Sequence, residues 1–157
     1  MPATAELGEL LRSLPGVLSA LDRGEMEELS QQLEEVTLAT GEKLWRESDP
    51  ESEGRFLAFV LEGELEVMKE TDFPGKHIVL AVLHPGAVAG EVYAFGGNCR
   101  ALTAIAASDC RLAVLPLAAL DELSNNKPAL GVKLLKGFLG VTAKRLDQSY
   151  QRLISVF

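Results

Sequence analysis

The spacing of apolar residues changes twice along the chain and divides it into three parts. Residues 5–14 predict a short helix, stopped by Pro15-Gly16. A second helix starts at Asp22, with Glu25 at the capping-box position three residues on. In it Met26, Leu29 and Leu33 recur at helical spacing, while Glu27, Glu28, Gln31 and Gln32 face away. From about residue 35 the period shortens. EVTLAT and KLWR flank Gly41-Glu42, RFLAFVL and ELEVMK flank Glu62-Gly63, and ALTAIAA and CRLAVL flank Ser108-Asp109. Each pair predicts a hairpin. Alternation in the fourth of these runs places Leu65 and Val67 on one face, and Glu64, Glu66 and Met68 on the other. HIVLAVL (77–83) is apolar throughout, which predicts a strand buried on both faces and ended by His84-Pro85-Gly86. Many short strands with evenly spaced glycine turns point to a sandwich or jelly roll. After Pro116 the helical period returns in LAALDEL, a polar break SNNK follows, and a long helix runs from Pro128 to the end of the sequence. Loops at 47–54 and 71–75 fall inside one domain spanning 1–157.

In the last helix, Leu135, Leu139, Thr142, Leu146, Ser149, Leu153 and Val156 are separated by alternating gaps of four and three. That is the spacing of a coiled-coil seam and predicts a homodimer through this helix. The other reading is a single stripe packed on the chain's own sheet. Gly131, Gly137 and Gly140 each cost about 1 kcal/mol relative to alanine. Either close packing requires them, or this half of the helix orders only against a ligand or partner.

Composition narrows the function. Apolar residues make up 47% and charged residues 24% of the 157, which is a soluble globular balance. No apolar run is long enough to cross a bilayer, and the N-terminus lacks the basic and apolar blocks of a signal peptide. Cys99 and Cys110 form neither a disulfide framework nor a zinc pattern, so a reducing, cytoplasmic setting is expected. A net charge of −8 with scattered bases argues against direct binding of DNA. The only histidines, His77 and His84, form no metal cluster, and no nucleophile–base constellation is visible; neither catalysis nor a cofactor is expected.

The remaining chemistry lies in GEVYAFGGNCRALTA, residues 90–104. Gly90 lets the backbone approach a ligand, VYAF can form one helical turn, and Gly96-Gly97 allows a return that brings Arg100 back over the same spot. A guanidinium there would grip a phosphodiester through two parallel hydrogen bonds, and the Glu91 carboxylate would accept from a sugar hydroxyl.

An ordered series of segments around this stretch resembles the cyclic-nucleotide-binding domains of catabolite activator proteins, kinase regulatory subunits and gated channels. LGELLRSLPGVLSALDRGEMEELSQQLEEVTLATGEKLWRESD is similar to the family's first helices and strands, and FLAFVLEGELEVMKE to its strand–glycine–strand. HIVLAVLHPGAVAGE leads into the phosphate-binding cassette, and RALTAIAASDCRLAVLPLAALDEL follows it. The resemblance implies a mainly β fold, an antiparallel double-stranded β-helix or jelly roll over 35–116. N-terminal helices at 5–33 and C-terminal helices at 117–157 would flank it, with the cassette at 90–101. It implies that Glu91 takes the ribose 2′-hydroxyl and that Arg100 pairs with the cyclic phosphate. Amides near Gly90, Val92, Tyr93 and Ala101 would complete the cradle, and Ser149 and Tyr150 of the last helix would reach the base. Ser48, Ala89 and Cys99 stand where the family usually has glycine, phenylalanine and proline. The expected function is a regulatory sensor, with cAMP as the first ligand and cGMP as the second, that signals to a separate, unidentified protein. The alternative is a degenerate fold that dimerises without nucleotide.

Overall fold

The computed structural model describes residues 2–46, 54–96 and 102–157, in which helices flank two four-stranded antiparallel sheets. Helix α1 (Pro2–Ser13) and a 3₁₀ turn (Val17–Ala20) lead to α2 (Arg23–Ser30). Asp22 caps α2 as expected. Its carboxylate accepts the Glu25 amide at 2.8 Å, and the Glu25 carboxylate accepts the Asp22 amide at 3.1 Å. Met26 and Leu29 on the inner face are buried.

The strands are β1 (Glu34–Leu38), β2 (Lys43–Trp45), β3 (Phe56–Glu62), β4 (Leu65–Glu70), β5 (His77–Leu83), β6 (Val88–Ala89), β7 (Thr103–Ala106) and β8 (Cys110–Pro116). They form one sheet in the order β1-β8-β3-β6 and a second in the order β2-β7-β4-β5, with no closed barrel among the described residues. None of the three hairpins predicted from the sequence forms. β1 pairs with β8 whereas β2 pairs with β7, β3 and β4 lie in different sheets, and so do β7 and β8. Each glycine or Ser-Asp turn is a corner where the chain crosses between sheets. At Gly63 (φ 82°) that corner is so tight that a Cβ would sit 2.2 Å from the Asp109 carbonyl oxygen. The hairpin that does form is β4–β5, closed through 71–76 by the Thr71 amide donating to the Lys76 carbonyl at 3.0 Å.

Burial explains the crossing. β3 and β8 are apolar on both faces because their sheet lies between two cores. Leu57, Phe59, Leu61, Ala113 and Leu115 pack with the helices, and the alternate residues Ala58, Val60, Leu112 and Val114 pack with the second sheet. Two further expectations fail for related reasons. β5 is the edge strand of its sheet rather than a doubly buried one, so Ile78, Val79 and Val82 are exposed and only Leu83 is buried. A register shift between Val67 and Met68 breaks the alternation in β4, and Met68 is buried as Leu65 is.

Helix α4 (Leu117–Asn126) runs through most of the predicted polar break, and α5 (Pro128–Val156) starts after Lys127. Leu130, Leu134 and Phe138 of α5 enter the helical core, where the Phe138 ring lies 6.1 Å from Phe59 and 6.0 Å from Phe95. Beyond Val141 the helix leaves this core. Leu135, Leu139, Leu146, Leu153 and Val156 of the predicted seam are exposed, so the chain's own sheet does not cover them.

Candidate ligand-binding site

The short strand β6 pairs with β3 through Ala58–Ala89 and Phe59–Val88, which delivers the chain to Gly90. Gly90 is left-handed (φ 97°), and a Cβ on it would meet the Phe56 carbonyl oxygen at 2.8 Å and the Trp45 ring at 3.3 Å. Only glycine fits that approach. Helix α3 (Glu91–Phe95) follows. Its Tyr93 is buried, its hydroxyl donates to the Gly54 carbonyl at 2.7 Å, and its ring lies 6.2 Å from both Trp45 and Phe56. Trp45 Nε1 in turn donates to the Leu102 carbonyl at 2.8 Å. The aromatic trio therefore supports the start of the cassette and holds the residue that follows its last part. Ala89, which replaces an aromatic in the family pattern, is buried in β6 against this floor.

Glu91 is almost fully buried, at 8% exposure, and it is not alone. Arg145 of α5 donates through Nη1 to Glu91 Oε1 at 2.5 Å and through Nη2 to the Val88 carbonyl at 2.6 Å. One guanidinium thus ties the long helix to both the cassette carboxylate and β6. Next to this contact is a cavity of about 510 Å³ bounded by β4, β5, the cassette and α5. That volume suits a small organic ligand.

The structure brings most of the expected residues to this cavity. Gly90, Glu91, Val92, Tyr93 and Ser149 line it. Ser149 Oγ donates to the Arg145 carbonyl at 3.0 Å. Tyr150 does not line it; it is exposed on the outer side of α5. Arg100 and Ala101 lie outside the described residues, as do Ser48 and Cys99. Thr142 also lines the cavity. The two hydroxyls that interrupt the predicted seam therefore face the chain's own site. Val132, Leu139 and Leu153 share the outward face with Tyr150, and Leu146, also exposed, lies at the boundary and lines the cavity.

Sequence reasoning missed Arg145, Gln148 and Arg152, all of which line the cavity. The signal was present: Thr142, Arg145, Ser149 and Arg152 recur at gaps of three, four and three, on one side of a helix. Ser149 alone of these was read as facing a ligand, and placing Thr142 only in a partner-facing seam concealed the rest.

Comparison with known proteins agrees with this geometry. Residues 35–127 match the cyclic nucleotide-binding domain family. A cyclic nucleotide-binding domain from Methylobacillus flagellatus KT superposes with a TM-score of 0.80 at 27% identity, over 99% of this chain and 85% of that one. The N-terminal domain of a transcriptional regulator from Streptomyces coelicolor A3(2) is 31% identical with a TM-score of 0.70, over 89% of this chain and 94% of that one. The Thermus thermophilus catabolite activator protein shares the fold, with a TM-score of 0.73 at 21% identity, over 89% of this chain and 62% of that one. A search of curated proteins finds no match. Among the described residues no helix is long and apolar enough to cross a membrane. With the family match, the 31% identical relative and the cassette at the head of the cavity, the chain belongs to the cyclic nucleotide-binding domain family, a family of regulatory ligand-binding modules.

Proposed function

We propose that the chain is a cyclic-nucleotide sensor that binds one cyclic purine mononucleotide, cAMP or cGMP, in the cavity between the cassette and α5. The observation that carries this reading is that Glu91 of the cassette and Arg145 and Ser149 of α5 line one cavity. The ribose 2′-hydroxyl donates to Glu91, and the backbone at Gly90, Val92 and Tyr93 flanks the sugar phosphate. Arg100 and the Ala101 amide take the phosphate, and Ser149 meets the base. The chain binds and does not catalyse.

The same helix supplies the output. One side of α5 walls the cavity and the adjacent side carries the exposed apolar row Leu139, Leu146, Leu153, with Leu146 at the cavity's edge. We assign that row to a homodimer interface. Tyr150, exposed and outside the lining of the chain's own cavity, lies on the same side. A ligand that alters the Arg145–Glu91 contact changes how α5 is held, and that difference biases the equilibrium seen by a downstream protein.

Calorimetric titration of cAMP and cGMP into the wild type and Arg100→Ala tests the reading. Saturable binding by the wild type, weakened a hundredfold or more (about 3 kcal/mol) when one side of a desolvated charge pair is removed, is the expected result. A second reading keeps the fold as a dimerising module without nucleotide. It is favoured by the Arg145 guanidinium, which already occupies one oxygen of the Glu91 carboxylate. Silence of the wild type toward both nucleotides at millimolar concentration selects it, and binding unchanged by Arg100→Ala refutes the phosphate assignment.

A further inference from the structure

Arg152 lies two turns beyond Arg145 on the same side of α5, about 10 Å further along the helix axis. It lines the far end of the cavity, and its Nη1 donates to the Leu80 carbonyl on β5 at 2.7 Å. The two arginines therefore lie two helical turns apart on the α5 wall of one cavity. Arg145 is committed at the sugar end to Glu91 and Val88. Arg152 is oriented against the strand whose residues Leu80–Leu83 form the opposite wall. A nucleotide with its ribose at Glu91 extends its base between that wall and α5, toward Arg152.

The chemistry at that end is one-sided. A guanidinium carries five N–H donors in a rigid fork and no acceptor. Guanine and hypoxanthine present O6 and N7, two adjacent acceptors that match the fork, whereas adenine presents N7 beside an N6 amino group that opposes a donor. We propose that Arg152 makes this site selective for 6-oxopurine cyclic nucleotides, cGMP above cAMP, by pairing with the O6/N7 edge. The proposal rests on the nucleotide-binding reading and adds the choice of base to it. Gln148 is the competing reader: it lines the same cavity, and its amide suits the N6/N7 edge of adenine. Arg152 is favoured because the Leu80 carbonyl fixes its guanidinium at the cavity wall, with further donors of the fork left for a ligand.

The test is calorimetric titration of the full chain with cGMP, cyclic IMP and cAMP, for the wild type and for Arg152→Leu, Arg152→Lys and Gln148→Leu. Cyclic IMP has the O6/N7 edge without the guanine 2-amino group, so it isolates the proposed contact. In the wild type, cGMP and cyclic IMP bind about tenfold more tightly than cAMP, the lower range for a bidentate pair at a partly exposed edge. Arg152→Leu removes that preference by weakening the two 6-oxopurines about tenfold. Arg152→Lys, which keeps the charge without the fork, restores only part of it, and Gln148→Leu leaves it in place. Thermal melts confirm that the exposed Arg152 variants remain folded. Tighter cAMP binding in the wild type overturns the proposal, as does an equal loss for all three nucleotides in Arg152→Leu. A preference erased by Gln148→Leu instead overturns it too. Silence toward all three overturns the nucleotide-binding reading itself, which separates the two failures.

Discussion

Replacing the three α5 glycines by alanine, one at a time, separates helix propensity from close packing. Each change offers about 1 kcal/mol of helix stabilisation. At Gly140 a Cβ meets nothing within 4 Å, so Gly140→Ala retains the full gain and raises the melting midpoint by about 2–4 °C for a chain of this size. At Gly137 a Cβ would lie 2.6 Å from Val17 Cγ1 and 3.3 Å from the Val17 carbonyl oxygen. The side chain of Val17 is buried and must shift, which cancels most of the gain. At Gly131 a Cβ would lie 2.6 Å from Ser124 Oγ and 2.8 Å from Ser124 Cα, so backbone as well as side chain is in the way. Forcing α4 and α5 apart costs about 1–3 kcal/mol, a net loss of up to about 2 kcal/mol. Urea and thermal unfolding at one fixed protein concentration should therefore rank Gly140→Ala above the wild type, Gly137→Ala near it and Gly131→Ala below it. If Gly131→Ala proves as stable as Gly140→Ala, the α4–α5 approach is not what requires glycine.

Two further outcomes follow from other parts of the molecule. Glutamate at Leu139 and Leu153 together, on the outward side of α5 and away from the cavity, should convert a dimer to a monomer by light scattering; a dimer that persists places the interface elsewhere. Acid unfolding should depend on Asp22 and Asp109, whose carboxyls are held below the ordinary aspartate value. The cause is chiefly the hydrogen bond from the Glu25 amide for Asp22 and from the Thr40 amide for Asp109. Because the folded-state values are depressed, this stabilisation is present at neutral pH and is lost as pH falls through those values, below about 4. Asp22→Asn with Asp109→Asn should flatten the acid limb of a melting-midpoint profile, and a limb of unchanged steepness contradicts the assignment.

The helices and the cassette were legible because their signals are local. The Asp22–Glu25 capping box, the stop at Pro15-Gly16 and the restart at Pro128 each act within one or two turns. Gly90 and Glu91 were legible from their place in a family series. Strand pairing was not. Gly41, Gly63 and Ser108-Asp109 look like hairpin turns, yet whether two neighbouring runs pair or part depends on which core each face meets, and that is a long-range property. β5 shows the same limit: six apolar residues after His77 suit a buried strand, and only the topology puts them at an edge. The side of α5 that faces the site was legible only in part. Leu139, Leu146 and Leu153 fit either of two adjacent stripes, and the structure turns Thr142 and Ser149 toward the cavity and Tyr150 outward. Arg145 and Arg152 became functional residues only once that side of the helix was known.

Nucleotide in the cavity walled by the cassette and α5 would be located by hydrogen exchange with and without cGMP or cAMP. Ligand-dependent protection is expected at 80–83, 90–95 and 142–152 together, with α1 and α2 unchanged. Protection confined to other segments, or none under conditions where calorimetry shows saturation, contradicts it.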